Sequence, residues 1–101
     1  MTPHTILVNE CLLRLSALGC MAWRNQTGRA RALDDPARII TFGLRGSADI
    51  LGVAPGGRSL AVECKTGSGR QHGRQPDFQR AFVARGGLYI LARSADDVVL
   101  S

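Results

Sequence analysis

Residues 46–67 read GSADILGVAPGGRSLAVECKTG, and how they pair decides the fold. Two apolar runs, 48–53 and 59–65, flank Pro55-Gly56-Gly57, the turn chemistry that separates adjacent strands. Pairing Val53 with Ser59 across that turn sets Asp49 opposite Glu63. Directly opposed residues carry their Cβ atoms about 5 Å apart. Two carboxylates at that spacing repel each other unless a proton or a cation sits between them. The period of a strand puts Ala61, Glu63 and Lys65 on one face and Leu60, Val62 and Cys64 on the other. Lys65, the only lysine beside twelve arginines, therefore faces the same way as both acids. Spacing alone leaves two readings open. The charges either guard an edge strand against aggregation or form a two-acid metal site, and a one-residue slip in the turn would separate the acids.

Outward from this hairpin, residues 5–18 (TILVNECLLRLSAL) predict an amphipathic helix stopped by Gly19, with Ile6, Glu10, Leu13 and Ala17 on one side and Val8, Leu12 and Leu15 adjoining. Glu10 and Arg14 stand at the spacing of a helical ion pair. A short strand is expected over 20–25. Residues 26–38 (QTGRARALDDPAR) have no clean period and read as a long loop, mobile or ordered by a partner. A strand at 39–42 follows. Beyond the central hairpin come a helix over 76–85 packing through Phe78, Ala81, Phe82 and Arg85, a strand over 88–93, and a short terminal helix capped by Ser94. The expected architecture is α/β: one domain over residues 1–101, with a central mixed β-sheet flanked by helices.

Composition narrows the function. With 45% apolar and 21% charged residues the chain is a folded protein rather than a disordered one. Aromatic residues make up only 5%, so the core relies on aliphatic side chains and stands to gain from a second chain. The net charge of +5 is carried by arginine, whose planar guanidinium suits phosphate. Cys11, Cys20 and Cys64 have no CxxC spacing and no histidine partner at zinc spacing; buried free thiols are the expectation. No apolar run approaches the length of a membrane span, and a cytoplasmic setting is expected.

Taken in order, a helix glutamate, GSADILG, GGRSLAVECKTGSGR, a helix containing FQRAF and then GGLYILARS resemble the VRR-NUC family of the PD-(D/E)xK nuclease superfamily. The resemblance runs from Glu10 through WRNQTG and FGLRGSADILG to the end of the chain. It implies a restriction-endonuclease-like core and a metal-dependent endonuclease acting on DNA, with branched or four-way-junction DNA as substrate. Stand-alone members, typical of phages and bacteria, form homodimers. Carried onto this sequence, the resemblance makes Asp49 and Glu63 ligands of Mg²⁺ or Mn²⁺, joined by the backbone carbonyl of Cys64. It makes Lys65 the active-site lysine, Glu10 the acid of the first helix and Gln79 the glutamine of the second, with Gln71 and Gln75 as competitors. An ion held by oxygen donors suits phosphodiester hydrolysis, and a lysine flanked by acids acts more readily as a fixed charge than as a base. Arg24, Arg29, Arg31, Arg45, Arg70 and Arg74 are candidate phosphate contacts. Gly43, Gly46 and Gly52 serve either turns or the close approach of a duplex backbone. The alternative is a nucleic-acid-binding module that keeps the fold without catalysis.

Overall fold

The computed structural model describes residues 1–101. Its elements run α1 (Pro3–Ala17), β1 (Met21–Arg24), β2 (Gly28–Arg31), β3 (Ile39–Phe42), β4 (Ile50–Val53), β5 (Ser59–Cys64), α2 (Gln75–Ala84) and β6 (Leu88–Ala92), then a 3₁₀ turn at Ala95–Asp97. Four strands form one sheet in the order β1-β4-β5-β6, antiparallel except for the parallel β5–β6 pair. The hairpin register is the one expected: Val53 pairs with Ser59 and Ile50 with Val62.

Alternation along β5 divides the molecule. Leu60, Val62 and Cys64 share a face with Ile50, Ile90 and Ala92, and α1 closes over that face through Leu7, Val8, Cys11 and Leu15. Burying each of the larger aliphatic side chains contributes roughly 1.5–3 kcal/mol. Val98, just after the 3₁₀ turn, completes this core. The turn is tied by a capping box between Ser94 and Asp97, so the expected terminal helix is a single turn. On the opposite face α2 packs against β6, where Phe78 stacks on Phe82 and approaches Tyr89, with ring centroids 5.3 and 6.2 Å away.

The helix α1 begins earlier than the pattern suggested. The Thr2 hydroxyl accepts the Thr5 N–H at 3.1 Å, and Pro3 occupies the first turn. Its buried stripe is also rotated from the expected one. Leu7, Val8, Cys11 and Leu15 face the sheet, whereas Ile6 and Leu13 are exposed, Leu13 at 73%. Apolar residues occur nearly all round this helix, so periodicity did not single out a side. The expected Glu10–Arg14 pair does not form, because Arg14 Nε instead donates to the Val98 carbonyl at 3.4 Å.

The largest correction concerns residues 26–42. They are not a loop followed by a strand of the main sheet. They form a separate antiparallel ribbon, β2–β3, with Gly28 opposite Phe42 and Arg31 opposite Ile39. All eight ribbon residues are exposed. A ladder that buries neither face leaves no alternation in the sequence, which is why β2 reads as irregular. The ribbon's tip is held by Arg31 on the Pro36 carbonyl, by Arg38 on Asp34, and by the Asp35 carboxylate accepting the Ala37 N–H.

Candidate active site

Asp49, the residue before β4, is set in place from three sides. The Asn25 backbone N–H donates to the Asp49 carbonyl at 2.8 Å, and the Asn25 amide holds Ser47 and the Ala48 carbonyl at 2.7 and 3.0 Å. This clamp carries the strand pairing one residue past β4. The Asp49 carboxylate then accepts the Cys64 N–H at 2.8 Å and lies 3.2 Å from His4 Nε2.

Glu63 stands beside it, 2% exposed, and its Oε2 is the only buried side-chain oxygen or nitrogen without a hydrogen-bond partner. Burial, reinforced by a hydrogen bond and charge repulsion from Asp49, pushes the Glu63 carboxyl up to about 9. Burial works against ionisation of Asp49 too. There the hydrogen bond from Glu63, the Cys64 N–H and His4 outweigh it and hold the Asp49 carboxyl below its ordinary value. Burial and the opposed charges thus favour a protonated Glu63 beside an ionised Asp49.

Lys65 extends the β5–β6 pairing, its N–H donating to the Ala92 carbonyl at 3.0 Å. Its ammonium donates to Gln75 Oε1 at 2.9 Å, an oxygen that also accepts the His72 N–H at 2.9 Å. These groups line one cleft of about 410 Å³ together with Thr66, Gly69 and Arg70.

The expected site residues divide accordingly. Asp49, Glu63, Cys64 and Lys65 meet in the cleft. Gln79 does not; its Oε1 accepts from Gln71, whose amide also donates to the Tyr89 hydroxyl, at 2.9 and 3.0 Å. Gln75, in the first turn of α2, is the glutamine that touches the lysine. Glu10 is exposed and outside the cleft lining; the residue of α1 that reaches the acids is His4. Six positions along a helix turn a side chain away from the face that His4 shares with the buried stripe. The spacing from His4 to Leu7, Val8 and Cys11 carried that signal, since these positions recur on one face.

Five of the six selected arginines, Arg24, Arg29, Arg45, Arg70 and Arg74, make no side-chain hydrogen bond, whereas the other seven arginines of the chain all do. Arg31 is the exception among the six, held by Pro36. The glycines serve the fold. A side chain on Gly52 would strike the backbone of β1, and one on Gly46, at φ +82°, would strike the Arg74 carbonyl. Neither position opens a path for a duplex. The thiols of Cys11 and Cys64 are buried, and Cys20 is half-buried.

No group of three or more His, Cys, Asp and Glu side chains converges as a metal cage. The donor set still fits a hard ion. It offers two opposed carboxylates, one with an unpartnered buried oxygen, beside the backbone of Cys64. Mg²⁺ in particular is held by one or two carboxylates, waters and substrate oxygens rather than by an all-protein cage.

No protein-family model matches the chain, and no curated protein matches it in sequence. Among solved structures, one described as "VRR_NUC domain" is similar over 95% of this chain and 89% of that chain, at a TM-score of 0.68 and 20% identity. The likeness is one of fold, and the sheet with its flanking helices is a restriction-endonuclease-like α/β core. No helix is long and apolar enough to cross a membrane.

Proposed function

We propose that the chain is a divalent-metal-dependent nuclease of the VRR-NUC type, an endonuclease that hydrolyses DNA phosphodiester bonds at branched or four-way-junction sites. The observation that carries this reading is the buried Glu63 carboxyl against the half-buried Asp49, with Lys65 beside them in one cleft. Asp49, Glu63 and the Cys64 carbonyl would hold Mg²⁺ or Mn²⁺. When bound, the ion supplies Lewis acidity that polarises the phosphate and makes a neighbouring water more acidic. The remaining work belongs to the side chains. Glu63, ionised, would offer its carboxylate oxygens to the ion. Lys65, held by Gln75, places a positive charge where the phosphoryl oxygens gather negative charge during attack. Arg70, unpaired in the same cleft, meets the approaching phosphate.

Cleavage of a panel of duplex, single-stranded, flap and four-way-junction DNAs with Mg²⁺ or Mn²⁺ tests the reading, with Lys65→Ala as control. Absence of metal-dependent cleavage across the panel would sink it. The second reading, a nucleic-acid-binding module without catalysis, is favoured by the lack of a third ligating side chain; it requires salt-sensitive binding with no cleavage.

The two glutamines are separable. Gln75→Ala releases Lys65 and is expected to slow cleavage about tenfold with unchanged DNA affinity. Gln79→Ala, which loosens Gln71 and Tyr89 instead, is expected to lower Tm and leave the rate alone. The reverse pattern would return the active-site role to Gln79.

Homodimerisation belongs to the same proposal. It is supported by the exposed Leu33, Ile39 and Ile40 of the ribbon and by the aliphatic core. Sedimentation equilibrium should report about twice the single-chain mass, and a monomer in the presence of metal and DNA would refute it.

A further inference from the structure

A second and larger cavity, about 670 Å³, runs between the base of the β2–β3 ribbon and the first turns of α2. Its lining includes Arg29 from β2, Phe42 from the end of β3, Arg45 from the following segment, and Arg74 and Phe78 at the start of α2. None of the three guanidinium groups has a carboxylate partner. The one acid in the lining, Asp77, is already engaged by Arg80. Phe42 lies across the backbone of Gly28 and remains 44% exposed, so ring surface is open to the cavity. Unpaired cations interleaved with available aromatic surface fit a ligand that alternates phosphates and flat bases.

We propose that this groove binds an unpaired nucleic-acid strand, with Arg29, Arg45 and Arg74 on its phosphates and Phe42 as the stacking platform for a base. The assignment to the strand being cut rests on the nuclease reading; the binding itself does not. Size decides against a duplex. A cavity of this volume takes a ligand of roughly one or two nucleotides, and the bases of a duplex have their faces covered by their neighbours. Stacking on aromatic side chains within a basic groove is the physical mode of single-strand binding.

The groove adjoins the catalytic cleft at residues 74 and 75. Arg74 lines it, while the next residue, Gln75, lines the catalytic cleft and holds Lys65. Gly46 lets the stem of the ribbon lie directly against the Arg74 carbonyl, which couples the groove wall to the segment that positions the lysine. A strand splayed from a branch point and laid in the groove would thus present a neighbouring phosphate to Lys65.

Fluorescence anisotropy with a labelled oligothymidylate and a labelled blunt duplex, both in EDTA, tests the proposal. The wild type should bind the oligothymidylate. Phe42→Leu keeps an apolar side chain on an exposed ribbon but loses the ring. It should weaken the oligothymidylate roughly tenfold or more and leave the duplex unchanged. Arg45→Ala, which removes no side-chain hydrogen bond or ion pair, should weaken the oligothymidylate and lower its salt slope by about 0.7, the value of one single-strand phosphate contact. Absence of wild-type binding to the oligothymidylate would overturn the proposal. So would equal losses on both probes, or wild-type affinity in both variants. If the expected pattern appears but no substrate is cleaved with Mg²⁺ or Mn²⁺, the nuclease reading fails and the groove stands. If cleavage occurs and neither variant alters oligothymidylate binding, the groove fails alone.

Discussion

Lys65→Ala is expected to fold, to bind divalent ion and DNA, and to cleave at least ~100-fold more slowly in single-turnover kinetics at saturating enzyme. The size of the effect follows from the lysine's isolation. It is the only lysine of the chain, and the other cation in its cleft with a free side chain, Arg70, belongs to the loop after β5 rather than to the sheet. Lys65→Arg is expected to remain poor. A guanidinium keeps the charge but is wider and planar, and it cannot reproduce the single 2.9 Å contact that an ammonium makes with Gln75. Measuring the bound-state rate separates catalysis from affinity. A uniform loss of DNA binding with an unchanged single-turnover rate would make Lys65 a phosphate contact only.

The second large effect lies in the two acids. Asp49→Ala should abolish measurable divalent-ion binding by isothermal titration calorimetry, and wild-type affinity in that variant would remove Asp49 from the ligand set. Glu63 adds a pH signature. Its carboxyl is raised in the folded protein to about 9, above the ~4.3 of an unfolded chain. The folded state therefore holds a proton that the unfolded state releases. The resulting stabilisation is complete below the unfolded value and is lost as pH rises toward 9, at up to about 1.4 kcal/mol per pH unit. Asp49 is shifted downward; its contribution persists across this range and is lost only in acid. In EDTA, Tm of the wild type should thus fall between pH 5 and 9, and Glu63→Gln should flatten the curve. Because an ion must displace the Glu63 proton, its affinity should strengthen by up to tenfold per pH unit below about 9. A pH-independent Tm in EDTA, with affinity equally flat, would mean that the carboxylates are not opposed in solution.

Much of this site was legible in the sequence. The turn at Pro55-Gly56-Gly57 and the apolar runs on either side suggest the register that pairs Val53 with Ser59, and the fold keeps it, with Leu60, Val62 and Ile50 on a common face. That register alone set Asp49 beside Glu63 and turned Lys65 toward them. Side-chain alternation is a local property of extended chain, so it survives into the folded structure.

The residues that complete the cleft were settled differently. His4 and Gln75 arrive from two helices, 45 and 10 residues away from their partners Asp49 and Lys65. Which side of α1 turns inward depends on how it docks on the sheet, and apolar residues on several sides of the helix leave that choice to packing. Gln75, Gln71 and Gln79 have equivalent chemistry, so only the path of residues 66–74 decided which amide meets the ammonium. The ribbon β2–β3 is the extreme case. Its pairing is made by backbone hydrogen bonds between strands that bury neither face. The sequence by itself therefore determined the hairpin, its opposed acids and the lysine, through the two-residue period of a strand. Helix rotation, the choice among glutamines and the detached ribbon with its basic groove depended on contacts between distant segments, and tertiary structure alone decided them.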